Sequence, residues 1–254
     1  MLLSMFFNEK KREKLMERYY SLAAFERRAY RMLAVIYAPI SVTKLTVALN
    51  AINDKKSSAK IKWDARANLG PLLAEWNGME LARNVRGSSG DCWICNRLVS
   101  ELAIREAVSL GEFESFLRVI DRRGDLSGVN TDWGKLVFNN KAYFARELRR
   151  AIYLADEKRF LALVEEGRYM TSRELDEAVL KDIPPCTILA EILLNPIDVK
   201  IMEALPRKIF MTVLGEGEWL LSESRSERES LKKLLDRGME LYGDDPEIIE
   251  RVAN

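Results

Sequence analysis

Met79-Glu80-Leu81-Ala82-Arg83-Asn84-Val85-Arg86-Gly87-Ser88-Ser89-Gly90-Asp91-Cys92-Trp93-Ile94-Cys95 is where the chain leaves helical spacing. Residues 79–85 and 92–95 predict short strands on either side of Arg86-Gly87-Ser88-Ser89-Gly90, a turn-rich connection able to close a hairpin. Immediately upstream, Ser41 offers an N-cap oxygen, and Leu45, Ala48, Leu49 and Ile52 recur at the i, i+3, i+4, i+7 spacing of an amphipathic helix. A further apolar face follows at Leu69, Leu72, Leu73 and Trp76, stopped by Asn77-Gly78. Earlier still, residues 9–25 carry Leu15, Tyr19 and Leu22 along one side. A helix from about Glu26, ended by Pro39, aligns Tyr30, Leu33, Ala34 and Tyr37.

Three helices followed by a β-hairpin is the order of a winged helix. Downstream, a helix from about Asn96 places Leu98, Leu102, Ala103, Ala107 and Leu110 on one side, and a short partner covers 112–120. Residues 122–130, with two glycines and several polar residues, read as a linker. Beyond it the spacing predicts helices at about 141–155, 157–166, 172–181, 187–194, 198–204, 207–213 and 226–242. Turns fall at Pro184-Pro185, Asn195-Pro196, Pro206 and Gly215-Glu216-Gly217. The expected fold is mostly α: a winged-helix-like N-terminal domain with a short β-hairpin over residues 1–123, then an α-helical hairpin or repeat-like array over residues 124–254. No strict 34-residue consensus runs through the second part, so tetratricopeptide is an architectural analogy.

A chain of 254 residues that is 48% hydrophobic is long enough to bury a core, and its 40 basic against 39 acidic residues leave a net charge of +1. The charge is uneven. Residues 1–123 hold 21 Lys and Arg against 14 Asp and Glu, and residues 124–254 hold 19 against 25, so the front half is suited to an anion. Histidine is absent, which excludes His-dependent triads and typical zinc hydrolases. Three cysteines are too few, and odd in number, for a secreted disulfide framework. The apolar start Met1-Leu2-Leu3-Ser4-Met5-Phe6-Phe7 lacks the flanks of a signal peptide, and no run approaches the roughly 18 apolar residues of a membrane helix. The expectation is a cytoplasmic protein with no membrane partner.

Leu33-Ala34-Val35-Ile36-Tyr37-Ala38-Pro39-Ile40-Ser41, Pro71-Leu72-Leu73-Ala74-Glu75-Trp76, Leu98-Val99-Ser100-Glu101-Leu102-Ala103-Ile104-Arg105-Glu106-Ala107 and Arg146-Glu147-Leu148-Arg149-Arg150-Ala151-Ile152-Tyr153 resemble the N-terminal accessory region of large bacterial SWI/SNF-like helicases of the DEAD/DEAH type. The resemblance covers roughly residues 25–165. A second one, to the winged-helix and helical-repeat regions of signal-transducing ATPase regulators of the maltose-activator type, rests on the same features. Both imply an accessory part of a DNA-associated ATPase whose motor lies elsewhere. Gly134-Lys135 is followed by Leu136 and lacks the earlier glycine of a phosphate loop, and a His-containing helicase box is impossible here. The resemblance therefore implies noncatalytic engagement of duplex DNA by the basic half and of a protein partner or downstream motor by the acidic half. A protein-interaction scaffold that never touches nucleic acid is the alternative.

The candidate nucleic-acid contacts are Lys55, Lys56, Lys60, Lys62 and Arg66, which precede or enter the third winged-helix helix, and Arg83 and Arg86, which flank the hairpin. Each can neutralise a phosphate without reading sequence. Gly70-Pro71 interrupts the place of a recognition helix unless Pro71 occupies its first turn. Cys92-Trp93-Ile94-Cys95 has the spacing of a redox or metal pair but lacks the second ligand pair or the thioredoxin-like context, so packing is the favoured role. Gly87-Ser88-Ser89-Gly90 reads as a turn rather than a phosphate cradle. The clusters Glu165-Glu166, Glu174-Asp176-Glu177 and Asp244-Asp245-Glu247 read as caps and solvated faces. Trp63, between Lys62 and Asp64, is the one aromatic residue placed to stack on a base. No catalytic residue, metal ligand or cofactor is expected.

Overall fold

The computed structural model describes residues 9–52, 61–87, 90–132, 135–138, 141–167, 192, 205–222 and 228–253. These residues are mostly helical, with short two-stranded antiparallel sheets. The chain forms two compact units, one spanning Asn8–Arg146 and one from Glu147 onward.

In the first unit, α1 (Glu9–Ser21) and α2 (Ala24–Ile36) lead to α3 (Val42–Ala51), a π-helical turn (Ala65–Leu69), α4 (Gly70–Gly78), and a hairpin of β1 (Ala82–Gly87) and β2 (Gly90–Cys95). Next come α5 (Arg97–Ser109), α6 (Phe113–Arg122) and the single turn α7 (Gly124–Ser127). α2 is the central element. Every residue from Ala29 to Ile36 is buried, Arg31 included, so the helix is covered on all sides by α3, α5, α6 and β2. The rings of Tyr19, Tyr30 and Trp76 form its aromatic core, with Tyr30 lying 5.2 Å from Tyr19 and 5.3 Å from Trp76.

Local chemistry sets the element ends. Ser41 caps α3 by accepting from the Lys44 N–H, Asn96 caps α5 by accepting from Leu98, and Asp64 caps the π-helical turn through Arg66 and Ala67. Pro71 does sit in the first turn of α4. Gly70 before it is required by close approach, since a Cβ there would lie 2.7 Å from the Ala65 carbonyl oxygen. Tyr37 ends α2 in the left-handed region at φ 60°, which turns the chain back so that Ile40 meets β2. The Ile40 N–H donates to the Trp93 carbonyl at 3.1 Å, and Trp93 returns the bond at 2.8 Å.

A second hairpin, β3 (Val129–Asp132) with β4 (Lys135–Phe138), lies between the end of the predicted linker and the helix predicted from about residue 141, where the sequence predicts no strand. Each strand has four residues, too few to display a period, and strand formation rests on the β-branched and aromatic Val129, Thr131, Val137 and Phe138. The division between units falls inside α8 (Lys141–Tyr153), so residues 124–146 lie in the first unit. Arg146, buried, holds them there by donating to the carbonyls of Leu126 and Ser127, and its guanidinium lies 5.1 Å from the Tyr143 ring centre. Gly128 takes φ 57° directly against that ring, where a Cβ would collide with it.

The second unit contains the rest of α8, then α9 (Glu157–Gly167), α10 (Arg207–Ser222), α11 (Arg228–Tyr242) and α12 (Pro246–Ala253). α10 runs straight through Gly215-Glu216-Gly217, where the sequence predicts a turn. Two glycines cost a helix about 1 kcal/mol each, and burial of Ile209, Phe210 and Leu214 along the same helix offsets it. The predicted helices at 172–181, 187–194 and 198–204 lie outside the described residues, as does Cys186, save for Ile192, which is helical and buried.

Candidate nucleic-acid interface

Arg83 and Arg86 stand on β1, opposite Ile94 and Asp91 of β2. Both are exposed, and among the described residues neither side chain makes a hydrogen bond or ion pair. Three positions apart on a strand, they point to opposite faces of the hairpin, so they flank it rather than share a surface. β2 is the inner strand: Cys92, Trp93, Ile94 and Cys95 are all buried. The two thiols are therefore packing groups. Burial pushes the Cys95 thiol well above its ordinary pKa, the reverse of what a reactive thiolate needs.

Lys62 and Arg66 are exposed on either side of Asp64. The Asp64 carboxyl is held below the usual carboxylate range by the Ala67 and Arg66 backbone N–H groups, with the Arg66 and Lys62 charges adding to the effect. An ionised carboxylate thus sits between two of the proposed phosphate contacts and weakens them both. Lys55, Lys56 and Lys60 lie outside the described residues. Trp63 is not available for stacking. It is 6% exposed, its backbone N–H and C=O are both tied to the Asn50 side chain at 2.9 Å, and its ring lies 6.1 Å from that of Phe25. The alternation of charged and apolar residues around Trp63 reflects a chain folding its one large ring inward.

After Arg66, the outward face of the helix consists of Pro71, Ala74, Glu75 and Asn77, with one acid and no cation. It offers a duplex no bidentate donor of the kind that reads guanine. A further group of cations, Lys10, Lys11, Lys14 and Arg18 on α1, is absent from the sequence candidates. Its signal is the i, i+4, i+8 spacing of Lys10, Lys14 and Arg18, which reads as an ordinary solvated face until the fold sets something beside it.

Arg31, buried, centres a polar network whose other charges, Arg28, Glu106 and Glu112, are half-buried. The Arg31 Nε donates to Glu112 at 2.7 Å, its Nη1 lies 3.5 Å from Glu106, Arg28 lies 3.2 Å from Glu112, and the Tyr19 hydroxyl donates to Glu106. Burial raises the Tyr19 hydroxyl pKa, and the hydrogen bond to the Glu106 carboxylate raises it further. The network joins α1 and α2 to α5 and to the start of α6, and each charge has an opposite partner. It serves to fix helices. In the second unit, Glu147 pairs with Arg159 and Arg150, and Asp245 pairs with Arg207. Among the described residues, no group of three potential ligands is placed to hold a metal ion, and no helix is long and apolar enough to cross a membrane.

No family model, curated protein or solved structure matches the chain.

Proposed function

We propose that the first unit is a winged-helix-like, noncatalytic module that engages duplex DNA through its phosphates, as the accessory region of a bacterial SWI/SNF-like helicase would. In this reading α2, α3 and the α4 segment are its three helices, β1 and β2 its wing, and the helices from Glu147 onward a repeat-like array for a protein partner or ATPase motor. The observation that carries the reading is the reciprocal Ile40–Trp93 bridge. It sews the segment between the first two helices to the second hairpin strand, which gives the wing a fixed root and leaves Arg83 and Arg86 as its exposed cations.

The uncharged and acidic face of α4 makes phosphate contact, rather than base readout, the mode of binding. That same face favours the second reading, a protein-interaction scaffold. Fluorescence-anisotropy titration of a labelled duplex across a salt series separates the two. The DNA reading expects log affinity to fall linearly with log salt, and the slope to shrink by about 1.8 in Arg83→Ala/Arg86→Ala, about 0.9 per phosphate lost. No binding at low salt refutes it and leaves the scaffold.

A further inference from the structure

Where α1 passes the end of α4, a groove of about 370 Å³ opens, lined by Lys10, Lys11, Lys14, Leu15, Arg18 and Glu80. Four cations and one carboxylate give it a net charge of +3. Arg18 and Lys11 are committed to Glu80 and the end of α4. The Arg18 Nη1 donates to the Met79 carbonyl at 2.7 Å and contacts Glu80 at 3.5 Å, and the Lys11 ammonium lies 3.1 Å from the other Glu80 oxygen. The Lys10 and Lys14 side chains are exposed and make no hydrogen bond or ion pair with any described residue. The Glu80 carboxyl is pulled below its usual range by its hydrogen bond to Lys11 and by the Lys11 and Arg18 charges, so it stays ionised at neutral pH.

The lining decides the ligand. Leu15 is its one apolar side chain and it has no ring, so a nucleobase, a sterol or an acyl chain finds nothing to lie on. Flexible ammonium groups around an open cleft suit a chain of phosphates, which they neutralise as point charges. Position agrees. Glu80 is three residues before Arg83, and three residues of extended chain span about 11 Å at most, so the groove adjoins the root of the hairpin.

We propose that this groove is a second phosphate-backbone contact for duplex DNA, and that Glu80 is its built-in competitor, held by Lys11 and Arg18 until a phosphate displaces it. The proposal rests on the DNA reading given above and extends its footprint from the hairpin to α1. Lys10 and Lys14 supply the attraction, while Arg18 remains tied to Met79 and keeps the groove's shape.

Duplex titrations across a salt series test it with three proteins besides the wild type. Lys10→Ala/Lys14→Ala leaves the buried Leu15 and Tyr19 in place. It is expected to reduce the salt slope by about 1.8, which is about a 60-fold loss at 0.1 M salt if the affinities converge at 1 M. Glu80→Gln removes the competitor and is expected to bind more tightly than wild type. Arg83→Ala/Arg86→Ala reports on the hairpin alone. Wild-type binding with an unchanged slope in Lys10→Ala/Lys14→Ala overturns the groove while leaving the hairpin reading standing. So does Glu80→Gln binding no more tightly than wild type. No wild-type binding at low salt overturns both.

Discussion

Replacing Tyr30 by Phe removes one oxygen from the centre of the first unit, and the structure fixes what that should cost. The Tyr30 ring is fully buried, and its hydroxyl donates to the Leu81 carbonyl at 2.7 Å. That carbonyl also accepts from the Asn96 N–H at 2.8 Å, so it keeps a partner when the hydroxyl is gone. The rings stay packed. A neutral hydrogen bond whose acceptor remains satisfied is worth about 1 kcal/mol, against about 1–3 kcal/mol when a buried group is orphaned. Tyr19→Phe is the natural comparison, because its hydroxyl donates to the Glu106 carboxylate. Hydrogen bonds to charged groups are worth about 1.5–3 kcal/mol. Partial exposure of Glu106, 23% at the side chain, brings this one to the low end. Urea unfolding of the full chain, followed by tryptophan fluorescence at constant m-value, should therefore rank Tyr19→Phe as more damaging than Tyr30→Phe, with Tyr30→Phe near 1 kcal/mol. A Tyr30→Phe cost of 3 kcal/mol or more, or the reverse ranking, would refute the shared carbonyl. It would mean that the Tyr30 hydroxyl alone closes the hairpin root.

Gly111 and Gly128 both take positive φ, but a Cβ at Gly111 meets open space whereas one at Gly128 meets the Tyr143 ring. Gly111→Ala should cost about 1 kcal/mol of left-handed strain and Gly128→Ala distinctly more, read as urea midpoints. Tyr19 and Tyr30 have raised hydroxyl pKa values. Their contribution is complete below about pH 10, the unfolded value, and is lost as pH climbs toward the folded ones. In an alkaline titration followed by tyrosinate absorbance, Tyr19 and Tyr30 should therefore ionise only with unfolding, and Tyr19→Phe and Tyr30→Phe should each remove part of that late step. Asp64 runs the other way: its depressed pKa gives stability that is present above about pH 4 and lost as pH falls through the folded value. The stability gap between wild type and Asp64→Ala should accordingly narrow in acid. Cys95, buried and with its thiol pKa raised, should resist a thiol reagent in the native protein and react on unfolding.

Much of the first unit was legible because its signals are local. Ser41, Asn96 and Pro71 act where side chain or ring chemistry dictates, and the hairpin at 82–95 follows from strand residues around a glycine-bounded turn. Other features depend on partners far along the chain. Nothing near Trp63 announces Asn50, thirteen residues away, as the side chain that holds its backbone. The second hairpin escaped because four-residue strands have no period to read, and the helix through Gly215 and Gly217 because tertiary burial outweighs propensity. Among the candidate contacts, exposure of Arg83 and Arg86 follows from their strand, but the carboxylate between Lys62 and Arg66 matters only once the Asp64 cap is seen to keep it ionised.

The α1 groove shows why charge counting along the sequence misplaces such a site. Leu15 and Tyr19, 1% exposed each, fix which side of α1 faces inward, and the Tyr19–Glu106 hydrogen bond clamps the helix to α5. With that side fixed, Lys10 and Lys14 have to project into solvent, and Arg18 falls beside the last turn of α4, where it satisfies the Met79 carbonyl that the helix end leaves open. Glu80 then takes φ 59° just beyond that helix, and this places its solvent-exposed carboxylate beside the cations of α1. A buried tyrosine, a helix end and one left-handed residue thus turn an ordinary charged face into a cationic groove with an anion already in it. Removing the Tyr19 hydroxyl should loosen the clamp and, with it, the groove. Tyr19→Phe is therefore expected to weaken duplex binding at low salt with little change in the slope, since it deletes no phosphate contact, whereas Lys10→Ala/Lys14→Ala changes both.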